Sequence, residues 1–317
     1  LLHSENPARA VTLLNVILGA LVPALLFLLA RRTGLSPRAS GLAALGLGFC
    51  PAFWDQAVRA EAYALDACLI LGALYLPRTL NPGVGALSAS GFFWSLALFH
   101  RPTALLLAPW VLVGPVRKTS GGFFLRKIFG WATGFVLGAS VLLYLPLRSG
   151  PGNLRVYFGA ETWGKFSWLI QAKGFWGRLG GGGPHWPSRL LGTGSLLFEN
   201  MDGSILLLAW LGLLVLLVRK PLWGLASGAA LLAALGFSSF YRVQDPEAFL
   251  VPGFISLSWL AGFGLDGAFR EFGASWGRRA LVWAWAMLAF QAPLAFRALD
   301  QHQNRTAEHF TTQALAR

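Results

Sequence analysis

Residues 11–30 read VTLLNVILGALVPALLFLLA, twenty residues without one charge. At a helical rise of about 1.5 Å per residue, such a run crosses a hydrocarbon core of about 30 Å. Residues 128–147, IFGWATGFVLGASVLLYLPL, form a second uncharged run of the same length. Leu222–Tyr241, Ala248–Leu265 and Ala280–Phe296 are nearly as long and equally uncharged. The whole 317-residue chain is only 12% charged and 55% hydrophobic, with a mean hydropathy of +0.57. A soluble surface needs about a quarter of its residues charged. The reading is an all-α polytopic membrane protein.

Working outward, the apolar pattern predicts ten spans: Val11–Ala30, Ala39–Phe53, Gln56–Leu76, Val84–Phe99, Thr103–Val116, Ile128–Leu147, Gly203–Val218, Leu222–Phe240, Ala248–Leu265 and Ala280–Phe296. Several are shorter than the ~17–25 residues of a full span, which predicts buried, tilted or re-entrant helices. Alternate loops hold thirteen lysines and arginines, from Arg31, Arg32 and Arg38 to Arg270, Arg278 and Arg279. The opposite set holds seven, leaving out the long loop Arg148–Asn200 and its six cations. The richer set is expected to be cytoplasmic. Only Asp266 and Glu271 of the thirteen acids fall on that side. Acids hardly affect orientation, so their crowding on the other face points to a site there.

The net charge of +13 fits loops and lipid headgroups, since no zinc-finger spacing or basic helix supports a nucleic-acid partner. Cys50 and Cys68 lie in apolar surroundings with no Cys-x-x-Cys pair, which reads as packed thiols. In the long loop, Trp163, Trp168 and Trp176 interleave with Lys165, Lys173 and Arg178, as suits a helix lying in the headgroup plane. The run Gly180–Gly183 lacks the Gly-Lys-Ser/Thr ending of a phosphate loop and reads as a hinge. There is no internal repeat.

Three charged clusters fall on the acid-rich face. In FWDQAVRAEAYALD, residues 53–66, no glycine or proline interrupts Ala52–Leu71, so one continuous helix is expected. That helix would carry Asp55, Arg59, Tyr63 and Asp66 on one face, with Glu61 pointing roughly the other way. Asp66 would lie about two turns deeper than Arg59, and an ionised group there costs roughly 2.5–3.5 kcal/mol unless paired or hydrated. The plain alternative is an Asp55–Arg59–Asp66 ion-pair ladder that only fixes packing. The second cluster is His100-Arg101 in a tight turn, where an arginine can simply anchor a helix end to headgroups. The third is Tyr241-Arg242-Val243-Gln244-Asp245-Pro246-Glu247, which alone could be a solvated hairpin. A cavity lined by carboxylates and arginines beside lipid suits sugar transfer from a polyprenyl-phosphate carrier. The acceptor hydroxyl needs a base, and the departing phosphate needs cations or a metal.

FWDQAVRAEAYALD resembles the signature of glycosyltransferase family 117, formerly domain of unknown function 2723. Those proteins have the GT-C fold and are similar to protein O-mannosyltransferases. LALFHRPTALLLAP, LLYLPLRSG and FYRVQDPEAFLVPGFISLSWLAGFGL match further stretches in the same order, and NPARAVTLLNVILGALVPALLFLLARRTG resembles the segment after the family's first loop. The resemblance implies a GT-C-like bundle of about ten helices. It also implies inverting transfer of mannose or a similar hexose from a polyprenyl-phosphate donor to a protein or other hydroxyl acceptor. Roles fall on Arg59, Glu61, Tyr63, His100, Arg101, Tyr241, Arg242 and Asp245, with Asp55 and Asp66 as supporting acids. The family's catalytic carboxylate sits in its first extracytoplasmic loop, so the base is expected upstream of Leu1. A divalent metal is compatible with the pattern but not required by it.

The expected organisation is a membrane domain over 1–298, with 148–200 as an extracytoplasmic loop, and the start of a linker over 299–317. The expected setting is a bacterial inner or plasma membrane, or the endoplasmic reticulum of a eukaryote, with the site extracytoplasmic. The competing readings are a transporter or flippase of lipid-linked sugars and a non-catalytic scaffold.

Overall fold

The structure is a computed structural model that describes residues 7–59, 61–78, 83–113, 121–149, 159–178, 186–241 and 245–299. The expectations at Glu5, Gly180–Gly183, Arg242 and the linker residues 300–317 lie outside them. The described chain is all-helical among its regular elements. Helix α1, Pro7–Arg32, ends where Gly34 takes a φ of 98°, a left-handed turn that suits glycine. Pro37 then opens α2, Pro37–Gly48, behind the capping hydroxyl of Ser36. Next come α3, Pro51–Val58, and α4, Tyr63–Tyr75. Helix α5, Val84–His100, leads through a tighter turn, Pro102–Leu107, into α6, Ala108–Val113. Helices α7, Gly121–Ala139, and α8, Tyr144–Arg148, carry the chain into the long loop.

That loop is more ordered than the sequence suggested. The aromatic stretch forms two short helices instead of one, α9, Trp163–Ile170, and α10, Lys173–Trp176. They part at Ala172, whose φ of 51° no α-helix accommodates. A third helix, α11, Trp186–Asn200, meets α12, Gly203–Arg219, at a bend of 110°. The remaining helices are α13, Pro221–Phe240, then α14, Val251–Glu271, and α15, Gly273–Leu299.

The apolar stretches are mostly helical among the described residues, but not as ten spans: the expected Ala39–Phe53 breaks between Gly48 and Pro51, and Gln56–Leu76 between Val58 and Tyr63. Among the described residues, five helical stretches are long and apolar enough to cross a membrane: Ala10–Arg32, Leu125–Arg148, Pro221–Phe240, Pro246–Glu271 and Gly273–Arg297. A sixth exists if α11 and α12 count as one broken span. Helices α2, α4, α5 and α6 fall short because turns and caps consume the ends of their apolar runs. This protein is an integral, multi-pass membrane protein.

Helix α14 is the axis of the bundle: every residue from Val251 to Ala268 is buried. Helices α7 and α15 are mostly exposed, and side chains such as Phe129, Val136, Val282 and Phe290 present an apolar rim suited to lipid. Small residues allow the close approaches. Along α7, Gly130, Gly134 and Gly138 recur every four residues, and a Cβ on Gly134 would run into the Ser88 carbonyl of α5. Gly212 of α12 and Gly264 of α14 make the same kind of backbone contact. In lipid, such close packing is a main force joining helices.

The loops sort by end. At one end, Asp266 of α14 accepts from the Ser36 backbone N–H (2.9 Å) and hydroxyl (2.6 Å), and Arg219 pairs with Glu271. Arg78 donates to the Leu74 and Trp110 carbonyls and lies 4.8 Å over the Trp223 ring. Trp259 packs 4.5 Å from Trp110, and its indole N–H donates to the Thr33 hydroxyl at 3.2 Å. These turns are the ones the cation count assigns to the cytoplasm. The turns between α3 and α4, after α5 and after α13 gather at the opposite end.

Candidate functional site

The continuous helix expected over Ala52–Leu71 is broken. Helix α3 stops at Val58, Arg59 is extended (φ −90°, ψ 159°), and α4 restarts at Tyr63. The carbonyls at the break have partners elsewhere in the chain. Asn15 of α1 donates its side-chain amide to the carbonyls of Gln56 (2.7 Å), Ala57 (3.4 Å) and Arg59 (2.6 Å). At the other end of α3, the Ala52 N–H donates to Asn200 Oδ1 at 2.7 Å. Backbone polar groups at membrane depth must be satisfied by protein, and two asparagines supply the partners here.

The break also dissolves the expected ladder. Asp55 and Arg59 do pair, at 2.8 Å, with the Asp55 side chain 12% exposed and Arg59 55% exposed. Asp66 is not part of that pair. It is buried in the first turn of α4, its Oδ1 has no hydrogen-bond partner among the described residues, and the charge acting on it is Arg101. Glu61 is exposed in the turn, as expected.

Arg101 is the hub that joins the three clusters. Its guanidinium stacks 3.5 Å over the Tyr63 ring and lies 5.2 Å from the Phe249 ring. Planar stacking on aromatic faces is a property of arginine, not lysine. Phe249 meets Tyr63 edge-on at 6.0 Å and Tyr241 at 5.0 Å. Asp245 and Glu61 both act electrostatically on Tyr63. His100 Nε2, as the N–H donor, reaches the Ala62 carbonyl at 3.3 Å and ties α5 to the start of α4. Tyr63, Asp66, His100, Arg101, Tyr241, Asp245 and Glu61 thus come together, while Asp55 and Arg59 form a separate pair before the break.

Next to this hub is a cavity of about 930 Å³. Tyr241, Asp245, Ser238 and Ser239 line it, as do Arg178, Arg189 and Thr193 of the long loop. The serine hydroxyls already donate to the Pro246 (2.8 Å) and Leu235 (2.7 Å) carbonyls, so they offer a ligand only lone pairs. Arg178 and Arg189 have no hydrogen-bond or ion-pair partner among the described residues. Lys165, by contrast, binds Glu161 at 2.9 Å and holds that exposed carboxyl below its ordinary range. Two guanidiniums lining one cavity with no partner among the described residues make an anion-binding wall.

Sequence reasoning missed both arginines by discounting the long loop as a topology witness; their place on either side of the glycine run was the available clue. It also missed Asn15 and Phe249. No three His, Cys, Asp or Glu side chains gather as a metal site among the described residues.

No protein-family profile matches the chain, and no curated protein does. Two solved structures are similar, both of ArnT from Cupriavidus metallidurans. The apo form gives a TM-score of 0.49 at 18% identity, over 81% of this chain and 45% of that one. The form bound to undecaprenyl phosphate gives 0.50 at 20% identity, over 82% and 46%. This chain therefore spans less than half the length of the proteins it resembles. At such identity the second likeness bears on fold alone: the chain has the helical, GT-C-like membrane architecture expected from its sequence.

Proposed function

We propose that this chain forms the membrane core of a GT-C-type glycosyltransferase that takes a sugar from a polyprenyl-phosphate donor. One observation carries the reading. Arg178 and Arg189, with no hydrogen-bond or ion-pair partner among the described residues, line the same cavity as Tyr241 and Asp245, beside the Arg101 hub. A similar fold, ArnT, has been solved with undecaprenyl phosphate bound, which supports a lipid phosphate as the ligand class. The ordered sequence blocks support membership of family 117, with mannose or a similar hexose as the sugar and a protein or glycan hydroxyl as acceptor. The acid-rich end of the bundle is then extracytoplasmic, over a membrane domain spanning 1–298.

The chemistry follows from the wall and the carboxylate. The acceptor oxygen attacks the anomeric carbon from the face opposite the phosphate, and the configuration inverts. The bond from that carbon to the phosphate oxygen breaks, and its electron pair leaves on the polyprenyl phosphate. Arg178 and Arg189 offset the growing charge on that phosphate. The acceptor proton must pass to a base. The resemblance puts the family's base upstream of Leu1; within this chain, Asp245 is the carboxylate that lines the cavity among the described residues and the candidate for that role. Arg101, stacked on Tyr63, adds a third guanidinium in the adjoining hub.

The test is reconstitution of the whole protein in lipid nanodiscs with a radiolabelled polyprenyl-phosphate hexose and a hydroxyl-bearing acceptor peptide or glycan. The expected result is labelled acceptor with one polyprenyl phosphate released per sugar transferred. Passage of the intact lipid-linked sugar across liposome membranes, with no bond broken, would replace this reading with a transporter. Neither transfer nor passage would leave a scaffold.

A further inference from the structure

We infer that Asn15 is a positioning residue that enforces the break between α3 and α4 and so holds Arg59 extended and Glu61 exposed in the turn that leads into Tyr63. Left to local rules, residues 52–71 make one helix, since no glycine or proline opposes it. In such a helix the carbonyls of Gln56, Ala57 and Arg59 would accept from the N–H groups of residues 60, 61 and 63. Those are the three carbonyls that the Asn15 amide contacts, at 2.7, 3.4 and 2.6 Å. One side chain therefore occupies the acceptors that a continuous helix needs. Asn15 is itself only 3% exposed, within a helix long enough to span the membrane. A buried amide at that depth is unusual without a dedicated partner.

The surroundings of Asn15 support the same role. One turn on, Gly19 lets α1 approach so closely that a Cβ there would collide with Ala57. The Cys68 thiol of α4 reaches the Leu18 carbonyl at 3.3 Å, beyond the break. Helix α1 thus grips the chain on both sides of the interruption, and Asn200 fixes the far end of α3 at Ala52. The consequence falls on residue 59 onward. With the break, Arg59 is held extended and Glu61 lies exposed; without it, both would be wound into a helix whose faces are set by its packing.

The catalytic arm of the test rests on the transferase reading, but the geometric arm does not. In the whole protein with Cys50 and Cys68 replaced by alanine, Glu61→Cys reports the turn through its rate of reaction with a membrane-impermeant maleimide. Asn15→Leu is expected to slow that reaction tenfold or more. Asn15→Asp, protonated at this depth and left with one O–H donor, should fall between. A residue that only filled space would give the opposite order, because leucine packs at least as well there as a carboxyl. Wild-type labelling in Asn15→Leu, or an Asp variant worse than the Leu variant, overturns the inference. In the native cysteine background, sugar transfer should follow the same order, through kcat more than KM. Labelling that follows this order, with no transfer by any form, would leave the positioning role standing and sink the transferase.

Discussion

Removal of Arg178 and Arg189 is the most direct perturbation of the anionic wall. Their side chains have no partner among the described residues, so alanine at either position deletes a ligand contact without stranding a neighbour. Arg178 is exposed, and charge contacts at such positions are worth about 0.2–1 kcal/mol, or up to about fivefold in affinity. Arg189 is half-buried, where a charge-assisted hydrogen bond contributes about 1.5–3 kcal/mol, roughly 10- to 150-fold. The two act on one ligand, so the double variant need not show the full product. Equilibrium binding of undecaprenyl phosphate in nanodiscs measures this, with each variant checked for membrane insertion. Arg189→Ala should weaken binding by at least tenfold and Arg178→Ala by severalfold. The Arg178 contribution should also fade as salt rises, since exposed charges are screened over about 10 Å at 0.1 M. A double variant that binds within twofold of the wild type would refute the phosphate wall.

Asp245→Asn should cut kcat by about 10²–10⁴, the range for loss of a general base, with KM little changed in the transfer assay. Arg59→Ala should abolish transfer while leaving insertion intact, and wild-type transfer would remove Arg59 from the site. Asp266→Ala strands the Ser36 N–H and hydroxyl at the opposite end, at a cost of about 1–3 kcal/mol read as a lower thermal midpoint in detergent. Gly134→Leu drives a side chain into the Ser88 backbone, and overpacking of about 1–3 kcal/mol or more should loosen α7 from α5. Loss of an engineered disulfide between those two helices would report it.

Local features were legible in the sequence because they are properties of contiguous residues. Uncharged runs such as 11–30 gave the membrane helices, and the charged blocks converge: Arg101 stacks on Tyr63, and Tyr241 reaches Tyr63 through Phe249. The number of full spans was less legible, since hydropathy cannot tell a helix facing lipid from one wrapped in protein. Helix α14 is the clearest case: apolar enough to face lipid, yet buried from Val251 to Ala268. The glycines at 130, 134 and 138 stood in the sequence at a spacing of four and foretell the α5–α7 contact, but only a partner backbone gives the spacing meaning.

The opening of the α3–α4 turn was illegible for a stronger reason. Propensity within residues 52–71 favours a helix, and the structure overrides it with a side chain more than forty residues away. That override sorts the charges of the block. Asp55 and Arg59 stay together before the break, at 2.8 Å, while Asp66 moves into the next helix and under the influence of Arg101. A ladder on one helix face would have neutralised Arg59 from both sides. Instead, one acid holds it, more than half of its side chain is open, and the second acid is buried in the first turn of the next helix. The interruption is therefore what leaves Arg59 extended and more than half open, apart from the Arg101 that stacks on Tyr63.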